Sequence, residues 1–391
     1  MQYKIVVHYD EIALKGGNRC LFEEALVRNL NRFLSAHGYA VRALNSWGRI
    51  FIPVVDLSVA KDICEGLKIF PGVSNFGIAI SIPKDEPDDE LAEFFVPKLS
   101  DTVFRVSAKR VDKSYPFTSQ ETERAFAEKL FSINQNLSVS MKGFDTELQI
   151  EILHSEKLYY IKEKGIGGLP SGSSGSAVSL LSAGFDSPVA SYLLQKRGAR
   201  VFPIHFHARE KTGKDPEIAV KDIAQILSRF QGKLSVALVS VLDIQKHIVE
   251  NAKDKLRIVL LRRSFMRMAS LYAEQTGALS LVTGDSLGQV ASQTMENIYA
   301  VDEASVLPVF RPLIGLNKSE IIDISRFIAT HDISARPCED TCAMFVPKNP
   351  ETKAKLKEVI AEENKLNLSE LEKNAINQME FTRFMYGQRV D

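Results

Sequence analysis

Cysteine, net charge and long apolar runs are scarce in this sequence, and each absence excludes a class of protein. Four cysteines in 391 residues are too few for a disulfide scaffold and suit a reducing compartment. Lys+Arg and Asp+Glu number 49 each, so the formal net charge is zero, and nucleic acid must be bound through local basic patches if it is bound at all. No apolar run approaches the roughly 18 residues of a membrane span, and residues 1–10 predict a strand rather than a signal peptide. We therefore expect a soluble cytoplasmic protein.

Two α+β segments come first along the chain. Over residues 1–80 the pattern runs strand, helix, strand, strand, helix, strand, which predicts a ferredoxin-like unit. A second α+β segment covers residues 81–165. Gly and Ser then dominate residues 166–176, which predicts a linker between domains.

Residues 177–391 follow a different pattern, in which strands alternate with helices. Strands are predicted at 177–181, 199–205, 234–241 and 279–283. Their apolar sequences predict a parallel, doubly wound sheet with helices on both faces. The last forty residues, roughly, are charged and are predicted to be helical.

The sharpest motif is the loop Ser182-Ala183-Gly184-Phe185-Asp186-Ser187. It follows an apolar strand and precedes a helix with Pro188 near its first position. Free N–H groups and the positive end of the helix dipole at such a turn suit a phosphate. It is not a Walker A loop, because no Gly-Lys-Ser/Thr follows. The alternative is a tight turn capped by Asp186 or Ser187.

A second unusual stretch runs from Thr283 to Thr294. Treated as a helix, it puts Leu287 and Val290 on the core side, and it gathers uncharged polar side chains on the opposite face. We expect that face to hydrogen-bond a nucleotide or RNA; the alternative is a buried edge with satisfied amides. The polar residues are Gln289, Ser292 and Gln293.

A third motif begins a later helix. Asn317 and Glu320 have the spacing of a capping box. Lys318 then falls in the first turn, where the helix dipole disfavours a cation. An anionic ligand such as a triphosphate would explain that lysine; the alternative is a solvated surface side chain.

Together these motifs resemble the tRNA uridine 4-sulfurtransferase family, a branch of the PP-loop ATP pyrophosphatases. The first loop is similar to the pyrophosphate-binding PP-loop, although Ala183 stands where Gly is usual, and Ile12 to Arg19 and Arg311 to Lys318 resemble further family motifs. The resemblance implies an N-terminal ferredoxin-like domain at 1–80 and a THUMP RNA-binding domain at 81–165, matched from as early as residue 59. It also implies a PP-loop domain at 177–391.

The resemblance implies ATP-dependent conversion of uridine 8 of tRNA to 4-thiouridine, with ATP and Mg²⁺ as cofactors. Uridine O4 is adenylated, and a cysteine persulfide then delivers sulfur to C4. Asp186, Lys318, Cys342 and Cys338 are the implied catalytic residues. The ATP-binding candidates are Leu181, Ser182, Ala183, Gly184, Phe185, Asp186, Ser187, His205, Phe206, Arg263, Gly284, Asp285 and Gln293.

We expect different roles for the four cysteines. The resemblance makes Cys342 the sulfur carrier, and Cys338, four residues earlier, a candidate for resolving the persulfide through a disulfide. A resident metal is not expected there, since only His331 adds to the two thiols. Cys20 and Cys64 fall in helical patterns and are expected to be small buried residues.

The expected partners are tRNA and a sulfur donor. Long family members end in a rhodanese domain; this sequence stops without one, so we expect a cysteine desulfurase persulfide or sulfide to supply the sulfur. The resemblance also implies a homodimer. Cations near Tyr115 and Phe117 suit phosphate contacts and base stacking, with a solvated strand end as the alternative. The RNA-binding candidates are Lys15, Arg19, Arg105, Lys109, Arg110 and Lys113.

Two other functions stay open on the residues alone. One is a different PP-loop enzyme that adenylates a small molecule or another tRNA base. The other is a non-catalytic THUMP RNA-binding protein with a degenerate loop.

Overall fold

A computed structural model describes residues 2–46, 48–337 and 350–390 of the chain. It divides into two compact units, residues 1–168 and 169–391. None of the helices in the described ranges combines the length and the apolar content that a membrane span needs.

The first unit contains nine strands and four α-helices among its described residues. The order strand, helix, strand, strand, helix, strand is confirmed for the first segment. The elements are β1 (Gln2–His8), α1 (Arg19–Ala36), β2 (Leu44–Ser46), β3 (Arg49–Val54), α2 (Leu57–Leu67), β4 (Asn75–Pro83), α3 (Asp89–Leu99), β5 (Val103–Arg110), α4 (Ser119–Ile133), β6 (Ser138–Val139), β7 (Thr146–Ile152), β8 (Glu156–Ile161) and β9 (Glu163–Lys164).

All nine strands form one sheet in the order β2-β3-β1-β4-β8-β7-β5-β6, with β9 also paired to β4. Strand β4 pairs with β1 on one side and with β8 on the other, so it joins the two α+β segments. A buried cluster under α3 and α4, which includes Phe95, Phe104 and Phe126, fills the second segment. The boundary at residue 80 lies inside β4 and stays a prediction.

The Gly/Ser stretch is fastened at its C-terminal end to the second unit. Leu169 N–H donates to the carbonyl of Lys196 at 3.0 Å, and Gly172 N–H donates to that of Gly198 at 2.8 Å. Leu169 itself is buried. Backbone hydrogen bonds therefore hold this part of the predicted linker in place.

The second unit alternates strands with helices, as predicted, up to its last helix. Its elements are β10 (Ser176–Leu180), α5 (Asp186–Lys196), β11 (Arg200–His207), α6 (Arg209–Thr212), α7 (Asp215–Gln231), β12 (Lys233–Ser240), α8 (Leu242–Asn251), α9 (Arg257–Thr276), β13 (Leu281–Val282), α10 (Met295–Asp302), β14 (Val309–Phe310), α11 (Lys318–Phe327), α12 (His331–Ser334), α13 (Leu356–Leu366), α14 (Ser369–Asn377), β15 (Glu380–Met385) and β16 (Gln388–Arg389).

The sheet of the second unit has the order β14-β13-β10-β11-β12-β15-β16. Its first five strands are parallel, and β15 pairs antiparallel with β12. The predicted helical tail is therefore wrong beyond α14, because the last strands extend the sheet. Alternation of Thr382 and Phe384, both buried, with exposed neighbours gives β15 its inward face.

Candidate active site

The topology of the second unit creates a crevice beside β10. The chain passes from β10 to β11 on one side and returns later to β13 on the other, and such a reversal opens a ligand site at the carboxyl ends of the strands. A cavity of about 430 Å³ lies there. It is lined by Leu180, Ser182, Ala183, Gly184, Asp186, Ser187, His205, Pro216, Ile258, Arg262, Phe265, Thr283, Gly284, Asp285, Gln289, Val290, Ser292, Gln293, Ser334 and Arg336.

The loop after β10 is held by the hydroxyl of Ser187. That oxygen accepts from the backbone N–H of Ser182 at 2.8 Å and lies 3.1 Å from the Ser182 hydroxyl. Phe185 is the N-cap of α5 and makes no side-chain cap hydrogen bond. Ala183 has no positive φ, so its methyl does not strain the loop. The first turn of α5 thus opens toward the cavity, as a phosphate site requires.

Gly284 lets the chain after β13 approach this turn. A Cβ atom on Gly284 would lie 2.6 Å from the backbone N of Ser187 and 2.8 Å from the carbonyl carbon of Asp186. Both atoms belong to the backbone and cannot rotate away. Only glycine therefore allows the two loops to form adjacent walls of the cavity.

Asp186 has a partner on each carboxylate oxygen. Lys318 Nζ lies 2.6 Å from Oδ1, and Gln289 Nε2 donates to Oδ2 at 2.9 Å. Lys318 also lies over the ring of Phe185, 5.4 Å from its centroid. The predicted capping box of Asn317 and Glu320 is present and begins α11 here. The structure thus brings Lys318 and Asp186 together at the cavity.

Asp285 is a buried carboxylate that connects several cavity side chains. Its partners are Arg262, Gln293 Nε2 at 3.3 Å, Thr283 Oγ1 at 2.8 Å and Arg311 Nε at 3.2 Å. Burial acts to raise the pKa of Asp285, but the two arginines and Thr283 outweigh it and lower the pKa to about 2. The carboxylate is therefore ionised under all ordinary conditions and anchors the far wall.

Two buried acceptor atoms in the cavity wall lack a hydrogen-bond partner among the described residues. His205 Nδ1 lies 2.9 Å from the Leu181 carbonyl, so it carries the proton and leaves Nε2 as an acceptor. Burial lowers the pKa of His205 to about 4, although the bond to Leu181 opposes it. The Gln293 amide donates to Asp285, which leaves Gln293 Oε1 as the second acceptor.

The predicted helix from Thr283 to Thr294 is wrong. The segment is a loop that ends in a 3-10 turn at Ala291–Gln293, and α10 begins only at Met295. Gly288 has a φ of +73°, which a continuous helix cannot accommodate. Leu287 and Val290 are consequently half exposed rather than in the core. The polar residues Gln289, Ser292 and Gln293 nevertheless line the cavity.

Four predicted ATP-binding residues are not among the residues that line the cavity: Leu181, Phe185, Phe206 and Arg263. Arg263 is 3% exposed and pairs with Glu303 and Glu363 instead. Its neighbour Arg262, which is not among the predicted ATP-binding residues, lines the cavity and bonds Asp285. Phe206 stacks on Phe265, with 4.3 Å between ring centroids, and the Leu181 carbonyl orients His205. The remaining predicted loop residue, Phe185, packs against Lys318 and against His331, with 5.4 Å between its ring centroid and that of His331.

The cysteine predictions have different outcomes. Cys342 and Cys338 lie outside the described residues, so their assignments stay predictions. Ser334 and Arg336, which precede them in the chain, line the cavity. Cys64 is buried as expected, and burial raises the pKa of its thiol to about 12. Cys20 is exposed, so the expectation of burial is wrong there.

The RNA-binding candidates all lie in the first unit, and four of them have intramolecular partners. Arg105 pairs with Glu147 at 2.6 Å, Arg110 donates to the carbonyl of Phe117 at 2.9 Å, and Arg19 pairs with Glu23 at 2.7 Å. Lys15 lies over the ring of Phe22. Lys109 and Lys113 are exposed to solvent.

Three family models match the chain in order. ThiI ferredoxin-like domain matches residues 4–77, THUMP domain matches 89–160, and thiamine biosynthesis protein (ThiI) matches 172–368. The last of these covers the cavity and both flanking loops.

Similar proteins match over nearly the whole chain. One from Caldanaerobacter subterraneus, named "probable tRNA sulfurtransferase", is 38% identical over 94% of this chain and 96% of its own. A protein of the same name from Thermus thermophilus is 37% identical over 98% and 94%. The crystal structure of a 4-thiouridine synthetase–RNA complex with bound ATP is 32% identical, covers 98% of this chain and all of its own, and has a TM-score of 0.86.

Proposed function

Because this chain belongs to the tRNA sulfurtransferase family, we propose that it uses ATP to convert uridine 8 of tRNA to 4-thiouridine. The observation that carries the proposal is the cavity beside β10. It combines the N-terminus of α5 at Asp186 with buried acceptors at His205 and Gln293, and Lys318 places a cation beside it through its ion pair with Asp186. These groups match the two ends of ATP, the triphosphate and the base.

The phosphate end of the nucleotide fits the loop from Ser182 to Ser187. The first N–H groups of α5 have no intrahelical acceptor, and the helix dipole adds positive potential there. Lys318 supplies a full charge beside them. The proposed role of this set is to hold the β and γ phosphates while the α phosphate is attacked.

The base end fits the two buried acceptors. His205 Nε2 and Gln293 Oε1 each require a donor, because an unpaired buried acceptor costs about 1–3 kcal/mol. The exocyclic amino group of adenine carries two hydrogens, whereas guanine presents a carbonyl at the same ring position. We therefore assign selection of adenine to these two side chains.

Mg²⁺ fits the phosphate end with Asp186 as its protein ligand. Mg²⁺ in nucleotide sites takes one or two carboxylates, with phosphate oxygens and waters completing the octahedron. Asp186 is a half-buried carboxylate at the loop, and the described residues hold no group of three or more metal-binding side chains. When bound, the ion neutralises charge on the departing pyrophosphate.

The reaction has two steps. Uridine O4 attacks the α phosphate of ATP, and the P–O bond to pyrophosphate breaks, so pyrophosphate leaves. The terminal sulfur of a Cys342 persulfide then attacks C4, and the C4–O4 bond breaks as AMP departs with O4. The Cys338 thiolate then attacks Sγ of Cys342, and the bond between Sγ and the outer sulfur breaks, so that the outer sulfur stays on C4 as 4-thiouridine. A Cys338–Cys342 disulfide remains, which a thiol must reduce before the next turnover.

A cysteine desulfurase persulfide or sulfide is the proposed sulfur source, and a homodimer the proposed assembly. We propose a cytoplasmic location because tRNA is found there.

The test is a comparison of Cys342→Ala with the unmodified chain on unmodified tRNA, with a cysteine desulfurase persulfide as the sulfur donor and no free sulfide. Pyrophosphate release should continue in the variant, while 4-thiouridine, measured by nucleoside analysis, should be absent. A tRNA with cytidine at position 8 should support neither step. Thiolation by Cys342→Ala at the normal rate would contradict the relay, and pyrophosphate release without tRNA would favour a different PP-loop substrate.

A further inference from the structure

The carboxylate of Asp285 is surrounded by donors from its own chain. Its Oδ1 accepts from Arg262 and from Gln293 Nε2, the latter at 3.3 Å. Its Oδ2 accepts from Thr283 Oγ1 at 2.8 Å and from Arg311 Nε at 3.2 Å. An ionised carboxylate has about four lone-pair positions, and these donors occupy them. Any effect of Asp285 on a bound nucleotide must therefore pass through its neighbours.

The charge of Asp285 dictates which end of the Gln293 amide turns away from it. Asp285 is 3% exposed and lies between the guanidinium groups of Arg262 and Arg311, which stay protonated and keep the carboxylate ionised. Such a carboxylate only accepts hydrogen bonds, so the Gln293 atom next to it must be the nitrogen. Gln293 Oε1 is thereby left as the acceptor in the cavity wall.

This orientation decides which purine the cavity accepts. Gln293 Oε1 pairs with the 6-amino group of adenine and opposes the 6-oxo group of guanine or hypoxanthine. The reversed amide would present N–H groups and pair with a 6-oxo group instead. His205 stays an acceptor in either case, because the Leu181 carbonyl, 2.9 Å from Nδ1, sets its tautomer.

We propose that Asp285 is a positioning residue that makes the cavity selective for adenine, because it holds the Gln293 amide with its oxygen toward the base. This inference rests on the proposed function, in which His205 and Gln293 bind the base end of ATP. Asp285 contacts no nucleotide atom in this scheme, and its charge excludes 6-oxopurine nucleotides through Gln293.

The informative substitution is Asp285→Ala, and the quantity to measure is the ratio of the dissociation constants of ITP and ATP, by calorimetry with Mg²⁺. The two nucleotides share ribose and triphosphate, so damage to the phosphate end cancels in the ratio. The unmodified chain should prefer ATP by at least about 30-fold, since O6 of ITP would leave two buried acceptors unpaired. In Asp285→Ala the preference should fall about tenfold, because the Gln293 amide can then turn and donate to O6.

We expect Asp285→Ala to fold. Arg311 keeps the carboxylate of Asp302, to which its Nη1 donates at 2.9 Å, and Arg262 lines the cavity, where solvent reaches it. Asp285→Asn, which fills the same space as the native side chain, is the second variant should the alanine variant be unstable. An amide at position 285 can present either atom to Gln293, so the preference should fall in the same direction but only about threefold.

Gln293→Met separates this route from one through Arg262, which Asp285 also holds. Methionine has nearly the shape of glutamine but neither amide atom, so Asp285→Ala should not change the preference further in the Gln293→Met background. Asp302→Ala is the matched control. It removes the other carboxylate bonded to Arg311 and leaves Gln293 untouched, so its preference should equal that of the unmodified chain.

The outcomes distinguish this inference from the proposed function. If the unmodified chain binds ATP but does not prefer it to ITP, or if the preference persists in both Asp285 variants, the inference is wrong and the function stands. An equally large fall in the Gln293→Met background, or in Asp302→Ala, also overturns it. If the unmodified chain binds no ATP, the proposed function fails and this inference with it.

Discussion

The Nζ atom of Lys318 lies 2.6 Å from Oδ1 of Asp186, across the mouth of the loop that follows β10. The two residues are 132 positions apart in sequence and come from different helices. Because Asp186 is the first residue of α5, this ion pair occupies the helix end that a triphosphate would approach. On the proposed function, binding of ATP with Mg²⁺ would exchange the lysine from the carboxylate to a phosphate oxygen.

This exchange predicts that the two residues are strongly coupled. Lys318→Gln and Asp186→Asn should each lower the rate of pyrophosphate release about 100- to 1,000-fold, the usual cost of removing one electrostatic stabiliser. In the double variant the fold-loss in rate should be much smaller than the product of the fold-losses in the two single variants. The reason is that each single change leaves one charge without its partner, whereas the double change removes both charges. Single-turnover assays at ATP concentrations well below saturation measure this, because the ion pair belongs to the enzyme without ATP.

The control for charge alone is Lys373→Gln, on the exposed face of α14, which should change the rate by less than about twofold because surface charges contribute little. If the fold-loss of the double variant equals the product of the two single fold-losses, the two residues act independently. That result would contradict the coupling and leave Lys318 without a role at Asp186.

The close approach of Gly284 to the backbone of α5 can be tested by adding a methyl group at that position. In Gly284→Ala the new Cβ would meet backbone atoms of Asp186 and Ser187 at under 3.0 Å, so one loop must move. We expect a loss of stability of about 1–3 kcal/mol and weaker binding of ATP. Calorimetry with ATP and Mg²⁺, together with thermal unfolding, measures both effects.

Gly315→Ala is the matched control for that experiment. A Cβ there has no atom within 4 Å, and Gly315 has no positive φ. It should bind ATP as the unmodified chain does. Equal affinities in the two variants would show that the close approach at Gly284 is not needed for nucleotide binding.

Local sequence signals identified part of the site. The capping box of Asn317 and Glu320 depends on residues three apart and was predicted correctly. The strand, loop and helix around Ser187 also follow from local pattern. Arg262 and Arg263 are different, because neighbours on a helix point about 100° apart. Only the packing of α9 decides that Arg262 faces the cavity and Arg263 faces Glu363.

Contacts between residues far apart in sequence, together with one glycine turn, explain why the predictions for the C-terminal strand and for the segment from Thr283 to Thr294 were wrong. Strand β15 forms because Phe384 and its neighbours pair with β12, whose residues lie well over a hundred positions earlier. The sequence of β15 gives no signal of that partner. The loop from Thr283 to Thr294 has helical spacing of apolar residues, but Gly288 turns the chain. The close approach of Gly284 to Ser187 is likewise a tertiary contact.

The basic RNA-binding candidates of the first unit fall into two classes, exposed lysines and arginines with intramolecular partners. Lys109 and Lys113 are exposed, so Lys109→Ala and Lys113→Ala should weaken tRNA binding and each reduce the slope of log K against log salt by about 0.7–0.9. Arg105 pairs with Glu147 and lies over the ring of Phe144, 4.3 Å from its centroid. Arg105→Ala should therefore also lower the thermal stability, through lost packing. Binding titrations at several salt concentrations measure the slopes, and unchanged slopes for both lysines would remove this surface from the RNA site.

His205 predicts a pH dependence of stability. Burial lowers its pKa from 6.5 to about 4, so at about pH 4.5 the unfolded chain binds a proton that the folded chain does not. Its contribution is complete well above pH 6.5 and is lost as the pH falls toward 4, by about 2–3 kcal/mol at pH 4.5. His205→Asn keeps a donor toward Leu181 but cannot titrate. The stability difference between about pH 7.5 and pH 4.5 should therefore shrink by about that amount.

Hydrogen exchange of amides in β11 measures this difference, because it reports the opening of the second unit alone. His154, which is half exposed in the first unit, supplies the control, and His154→Asn should leave the exchange in β11 unchanged. A pH dependence that persists in His205→Asn would mean that His205 is not held neutral by burial. In that case burial would not be what keeps Nε2 an acceptor, and the assignment of base selection to His205 would lose that support.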